Sequence, residues 1–180
     1  MAITTISELR SSVKAGARSN LYKVTLPSGA LGGVEDDFGF LCKAAQLPGS
    51  TLGVIDIPFM AGRRYKLAGD RTFADWTTTI LADQNQKIRQ ALEDLQREYS
   101  PTDYNSSVGK TRNGSVETDF NDIIVEQLDT LGNSIYKFTL VNCWPSDIST
   151  IDLSYDSTDT LEEFTVTWSY DYFVFDDTPS

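Results

Sequence analysis

The chain of 180 residues contains no histidine. That absence removes Ser-His-Asp and Cys-His catalysis, the HExxH zinc site and imidazole acid–base chemistry. An enzyme built on this chain would work through carboxylates, Lys, Tyr or a bound cofactor. Cysteine is scarce as well, at two residues, Cys42 and Cys143. Neither lies in a CxxC pair, and both read as small buried apolar residues. Long apolar runs are missing: polar residues interrupt every stretch well short of the ~18 that a membrane helix needs. The first nineteen residues carry Arg10, Lys14 and Arg18 without an apolar segment. They do not read as a secretory signal, so the product reads as cytosolic.

Basic residues are nearly absent from the last part of the chain. Residues 115–180 hold fourteen Asp/Glu and a single base, Lys137, a balance of −13. Residues 1–114 hold the other twelve acids with fourteen Lys/Arg, a balance of +2, and the whole chain stands at −11. An acidic surface is a poor non-specific binder of nucleic acid. It suits a second copy of the chain, if the basic patches of one copy meet the acid of the next. A chain of this length forms one domain and buries roughly 70% of its unfolded surface without disulfides or metal.

What is present is β-pattern. Period-two alternation predicts strands over residues 21–26, 38–47, 72–81, 119–128, 135–144, 147–155 and 163–175. A further one over 51–66 is interrupted at Pro58 and Gly62. The strand over 163–175 places Phe164, Val166, Trp168, Tyr170, Tyr172 and Val174 on one side. One segment changes period: over 83–99, Ile88, Leu92, Leu95 and Tyr99 form a helical stripe, with Asp83 to cap it and Pro101 to stop it. Residues 100–118, rich in Ser, Thr, Asn and Gly, read as a mobile polar loop. The sum is a mainly β fold: a β-sandwich or partly closed β-barrel of about eight strands with one flanking α-helix. It forms a single domain over residues 1–180, with a flexible N-terminal segment over 1–19.

No motif assembles a reactive centre. "VGKT" at residues 108–111 ends like a phosphate-binding loop, yet Tyr104 stands where its leading glycine belongs. "NSS" at Asn105 and "NGS" at Asn113 fit the glycosylation pattern but, without a signal segment, read as loop residues. "EDD" at 35–37 and "DSTDTLEE" at 156–163 read as solvated turns or a weak cation site, and the second lacks the glycine and ligand order of an EF-hand. The aromatic ladder of 163–175 lacks the Lys and Arg of a base-stacking platform and reads as core. "GRRYKLAGDR" at 62–71 groups Arg63, Arg64, Lys66 and Arg71. That group suits a solvated face, a contact for an acidic surface of another copy, or a nucleic-acid patch. No catalytic, cofactor-binding or metal-binding residue is predicted.

Two stretches carry a resemblance: "FLCKAAQLPGSTLGVIDIPFMAGRRYKLAGDRTFADWTTTILADQNQKIRQ" at residues 40–90 and "CWPSDISTIDLSYDSTDTLEEFTVTWSYDYF" at 143–173. "CKAAQLPG", "AGDRTFADWTTTI" and "WPSDISTIDLSYDS" are their most specific pieces. The chain resembles the tail tube proteins of contractile-tailed bacteriophages of the T-even type, over most of residues 21–175. That resemblance implies a β-barrel or sandwich with a flanking helix, hexameric rings, and rings stacked into a hollow tube inside a contractile sheath. It implies the sheath, baseplate and tail terminator proteins as partners, no cofactor, and a place in the virion tail after assembly in the host bacterial cytoplasm. The genomic DNA would pass along the lumen without specific binding. The same fold serves type VI secretion and related injection systems. A tube protein of such a system, a tail terminator or a tube initiator is therefore the alternative. Outside this class stand a carboxylate enzyme with two opposed acids in a cleft and a monomeric ligand-binding β-barrel.

Within a ring, Asp122, Glu126, Lys137 and Thr139, polar alternants of the strands over 119–128 and 135–144, are the candidates for lining the lumen. Acid there would keep phosphates from sticking. The segment 44–71, with Arg63, Arg64, Lys66 and Arg71, is the candidate for contact between rings.

Overall fold

The computed structural model describes residues 6–13, 16–99, 121–156 and 158–176. The polar stretch 100–118, with "VGKT" and both Asn motifs, lies outside them. Nine strands and three α-helices occupy the described residues. In chain order they are α1 (Ile6–Val13), β1 (Tyr22–Thr25), α2 (Glu35–Leu41), β2 (Cys42–Ala45), β3 (Ser50–Pro58), β4 (Arg64–Phe73) and β5 (Trp76–Leu81). Then come α3 (Lys87–Tyr99), β6 (Asn121–Leu128), β7 (Ser134–Ile148), β8 (Glu163–Ser169) and β9 (Tyr172–Asp176). The fold is mainly β, as the alternation predicts, with more helix than the single one expected.

Seven strands run in the order β1-β6-β7-β8-β5-β2, with β9 also on β7, all antiparallel. β7 turns the corner between two halves. Residues 134–143 pair with β6, and 144–148 pair with β8. At the corner Asn142 takes a left-handed φ of 58°, a conformation Asn tolerates better than most residues. Asp122 Oδ1 accepts the Asn142 N–H at 3.1 Å, and Asp171 Oδ2 accepts from Asn142 Nδ2 at 2.6 Å. The Asp171 N–H in turn donates to the Val141 carbonyl at 3.1 Å.

That corner explains two departures from the alternation. The expected strand over 135–144 runs on through Pro145 to Ile148 as β7, and the rest of the expected strand over 147–155 is corrected: among the described residues no strand lies between Ile148 and β8. Pro145 is no breaker there because it stands at a register shift, where its missing N–H is tolerated. The expected strand over 163–175 is two strands, β8 and β9, split at Tyr170–Asp171. The split moves the phase by one residue. Phe164, Val166 and Trp168 are buried, but beyond the split Phe173 is the buried residue, and Tyr172 and Val174 are exposed.

The expected strand over 38–47 is also corrected. Its first part is α2, and only Cys42–Ala45 is strand. Phe38 is fully buried while Phe40 is 87% exposed. A strand would put residues two apart on one face, whereas a helix puts them nearly opposite. Three acids, Glu35, Asp36 and Asp37, occupy the first turn, where the helix dipole favours negative charge. Glu35 also organises the preceding loop: its Oε1 accepts the N–H groups of Gly29, Leu31 and Gly33 at 2.9, 2.9 and 3.2 Å. Slight burial pushes its carboxyl up, but these backbone donors outweigh that and hold it below its ordinary value. The acid run at 35–37 is therefore a helix start and a loop clamp.

Gly39 lets α2 lie against β1. A Cβ there would stand 2.8 Å from the Val24 carbonyl oxygen. Gly39→Ala should gain about 1 kcal/mol of helix propensity and lose about 1–3 to overpacking. The expected outcome is a lower unfolding midpoint in urea.

The buried side chains form one cluster. Trp76, Thr78 and Ile80 of β5 face Phe164, Val166 and Trp168 of β8 through their shared register. Trp168 Nε1 donates to the buried Thr78 hydroxyl at 3.1 Å, and Phe38 meets Trp168 edge-on with centroids 6.0 Å apart. Ile88, Leu92 and Leu95 of α3 join the same cluster, as their helical stripe predicts. The helix itself begins at Lys87, after a turn in which the Asp83 carbonyl accepts the Gln86 N–H at 3.0 Å. Burial pushes the Cys42 thiol up to about 11 and that of Cys143 up to about 12. Both stay protonated at neutral pH.

The sheet path does not close, and β1 and β2 stand at its ends. The ends approach each other, with Tyr22 Oη donating to the Cys42 carbonyl at 2.7 Å.

Candidate functional site

β3 and β4 stand apart from the seven-stranded sheet as a two-stranded hairpin. Their register runs from Ser50 opposite Phe73 to Pro58 opposite Arg64. Nine residues in β3 and ten in β4 make an arm of about 30 Å. At its tip the Phe59 N–H donates to the Arg63 carbonyl at 2.7 Å, and Ala61 and Gly62 both take left-handed φ values. A register shift between Leu52 and Val54 falls where Gly53 faces Gly69. A Cβ on either glycine would come within 3.2 Å of the other's backbone or its neighbour's. The strands therefore close tightly over the shift, and a side chain at either position would push them apart by a few tenths of an ångström.

The register gives the arm two unlike faces. Ile55 opposite Leu67 and Ile57 opposite Tyr65 make one face apolar. Asp56 opposite Lys66 and Pro58 opposite Arg64 make the other polar toward the tip, with Val54 opposite Ala68 nearer the base, and Arg64 Nη1 stands 3.4 Å from Asp56 Oδ2. All four apolar side chains are exposed, and Phe59 and Met60 at the tip are exposed at 69% and 82%. A lone two-stranded hairpin is marginal in water, and an apolar face of this kind marks an interaction surface.

The four basic candidates all fall on this arm. Arg63 is in the tip, Arg64 and Lys66 are on the polar face, and Arg71 stands opposite Leu52 near the base. The alternation of 51–66 singled out none of the apolar partners Ile55, Ile57, Tyr65 and Leu67. Their signal was present as a pair of alternating runs on either side of Pro58 and Gly62.

The four polar candidates of the long strands also come together. Asp122, Glu126, Lys137 and Thr139 share one face of the β1-β6-β7-β9 half, opposite the buried Val125, Phe138 and Leu140. Glu126 lies between Lys23 on β1 and Lys137 on β7, and Lys137 stands opposite Asp176 in the register. Thr139 lies in the next row, between Ile124 and Val174. Asp122 has a second task, since it holds the Asn142 corner. With Lys23 included, the register of these four strands sets three acidic positions, Asp122, Glu126 and Asp176, among two basic ones, Lys23 and Lys137. The face mixes acid with base, and a separate acidic group lies at Asp147, Asp152, Asp156, Asp159, Glu162 and Glu163.

The sheet margins differ in how they are covered. Along the last part of β7, Gln96 Nε2 donates to the Pro145 carbonyl and Arg89 Nη1 to the Ser149 carbonyl, each at 3.1 Å. Helix α3 thus occupies that margin. β9 is a margin of a different kind. Tyr172, Val174 and Phe175 along it are each nearly half exposed, and Phe175 meets Tyr136 edge-on at 6.0 Å. Beside β1, at the opposite margin of the same four strands, lies an open groove of about 660 Å³ between Tyr22, Leu26, Gly39 and Phe40.

Comparison with known proteins agrees with this arrangement. The family described as phage tail tube protein matches residues 16–176. The tail tube protein gp19 of Enterobacteria phage T4 is 31% identical over 158 residues, covering 87% of this chain and 90% of that protein. The tail tube protein of Serratia phage KSP90 is 24% identical over 174 residues, covering 93% and 95%. Among solved structures, the fold is similar to a chain of the sheath–tube complex of an extracellular contractile injection system in its extended state. There the TM-score is 0.64 at 12% identity, over 97% of this chain and 99% of that one. It is similar to a chain of the tube-terminating cap of the anti-feeding prophage as well, at a TM-score of 0.64 and 12% identity, over 98% and 94%. With the match extending across nearly all of the described fold, this chain belongs to the phage tail tube protein family.

Proposed function

We propose that the chain is the repeating structural subunit of a contractile phage tail tube. The observation that carries this reading is the arm formed by β3 and β4, whose apolar face is covered by no strand among the described residues. A second copy would cover it.

Rings of six copies, stacked into a hollow tube, fit the β9 margin and the β1 margin, the second flanked by α2. β1, β6, β7 and β9 alternate in direction. A β9 margin placed against the β1 margin of the next copy therefore continues an antiparallel sheet. Such a contact is heterologous, so it closes into a ring when the rotation allows. The likeness to chains of sheath–tube, baseplate and terminator assemblies supports the sheath, baseplate and terminator as partners in the virion tail. A tube or cap of an injection system is favoured by that same likeness, and neighbouring capsid or toxin genes would separate the two.

Negative-stain microscopy of the purified protein at micromolar concentration tests the reading. Rings or stacked tubes with a central hole are expected. Uniform single copies in both low and high salt would overturn it.

We assign the face of Asp122, Glu126, Lys137 and Thr139 to the lumen. Glu126→Lys would set three ammonium groups in one row and cost roughly 0.2–1 kcal/mol per like-charged pair. Glu126→Gln removes the charge without that strain. Both variants should assemble normally and slow genome delivery, the Lys variant several-fold more. Equal infection efficiency for wild type and both variants, with normal tubes, would sink the lumen assignment.

A further inference from the structure

The arm and the connection between β7 and β8 leave opposite ends of one strand. β5 begins at Trp76, opposite Trp168, and ends at Leu81, opposite Glu163. The arm returns at Phe73, three residues before Trp76. The connection, residues 149–162, runs into Glu163 and so closes the other end. The six residues of β5 set the two features about 20 Å apart.

They are also opposite in charge and alike in apolar exposure. The connection exposes Leu153, Tyr155 and Leu161 around an open hollow of about 510 Å³. Asp152, Asp156, Asp159 and Glu162 accompany them, and no Lys or Arg occurs after Lys137. The arm between residues 50 and 73 carries Arg63, Arg64, Lys66 and Arg71 against Asp56 and Asp70. Its tip adds the exposed Phe59 and Met60.

We propose that the arm tip of one copy seats on the β7–β8 connection of a second copy. Phe59 and Met60 enter the hollow beside Leu153, Tyr155 and Leu161, and Arg63 and Arg64 face Asp152 and Asp156. This rests on the reading of the chain as a stacking subunit. A donor at one end and an acceptor at the other make a head-to-tail contact, which repeats without limit. Apolar burial supplies most of the affinity. The charges set register and partner choice, and their contribution weakens with salt.

Three variants in the full chain test the contact: Arg63→Glu with Arg64→Glu, Asp152→Lys with Asp156→Lys, and all four together. All four positions are exposed, so thermal melts of the variants should match the wild type. Each pair alone should raise the protein concentration needed for stacking about tenfold or more, and the combined variant should recover most of that loss. Wild-type protein that never stacks would sink the tube reading and this contact together. Stacking by the Asp152/Asp156 variant at the wild-type concentration would overturn the contact alone. So would failure of the combined variant to recover.

Discussion

Excision of the arm, with residues 51–72 replaced by a short Gly-Ser turn, is expected to leave a folded subunit that never stacks. The first half of that expectation follows from burial. Every residue of β3 is exposed, and β4 is exposed apart from partial cover at Gly69 and Phe73. The core cluster draws none of its buried members from the arm. Removing it takes away little burial within one copy, so the urea midpoint should stay within the range of a surface change, about 0.5 kcal/mol. The second half follows from the apolar face of Ile55, Ile57, Tyr65 and Leu67, which no strand among the described residues covers. Circular dichroism melts and negative-stain images of the same preparation check both halves. Excised protein that still forms tubes would show that stacking runs through another surface.

Trp168→Ala is expected to have the opposite signature, with stability lost first and assembly lost as a consequence. Trp168 is 1% exposed and touches Trp76 and Phe38 in the centre of the cluster. Truncation there costs about 3–5 kcal/mol, a large share of a total of about 5–15. Trp168→Phe separates the ring from its hydrogen bond. It keeps most of the apolar volume but leaves the Thr78 hydroxyl, 1% exposed, without the indole donor, at a cost of about 1–3 kcal/mol. Equilibrium urea unfolding should therefore rank wild type above Trp168→Phe and Trp168→Ala last. A loss below about 1 kcal/mol for Trp168→Ala would contradict the central packing.

The two variants separate what the arm does from what the core does. The arm carries apolar surface that the described fold of one copy leaves exposed. The core carries the burial that makes one copy fold. A subunit that assembles as proposed needs both, an exposed surface for contact between copies and a core that lets one copy fold.

Local pattern determined much of this protein by itself. The stripe of Ile88, Leu92 and Leu95 predicts α3, and the alternation of Trp76, Thr78 and Ile80 with that of Phe164, Val166 and Trp168 predicts the centre of the core. In each case one periodicity acts along a single element, and a residue's face follows from its number. The basic run at 62–71 also pointed to the surface that carries it, because exposed charge needs no partner to be recognised. Tertiary structure decided the rest. Alternation placed Phe38 and Phe40 on one face of a strand, but the segment is helix α2, packed on β1 where Gly39 allows a close approach to Val24, and the helix parts them. Alternation ran unbroken from Phe164 to Val174, but the Asn142 corner, bound by Asp122 and Asp171, breaks the strand and inverts its phase. The charge balance around Glu126 was likewise invisible, since Lys23 and Lys137 reach it only through pairing between strands far apart in the chain. Periodicity reports which residues share a face. Which face meets the core, a neighbour or a channel depends on contacts between distant segments, and those arise only when the chain has folded.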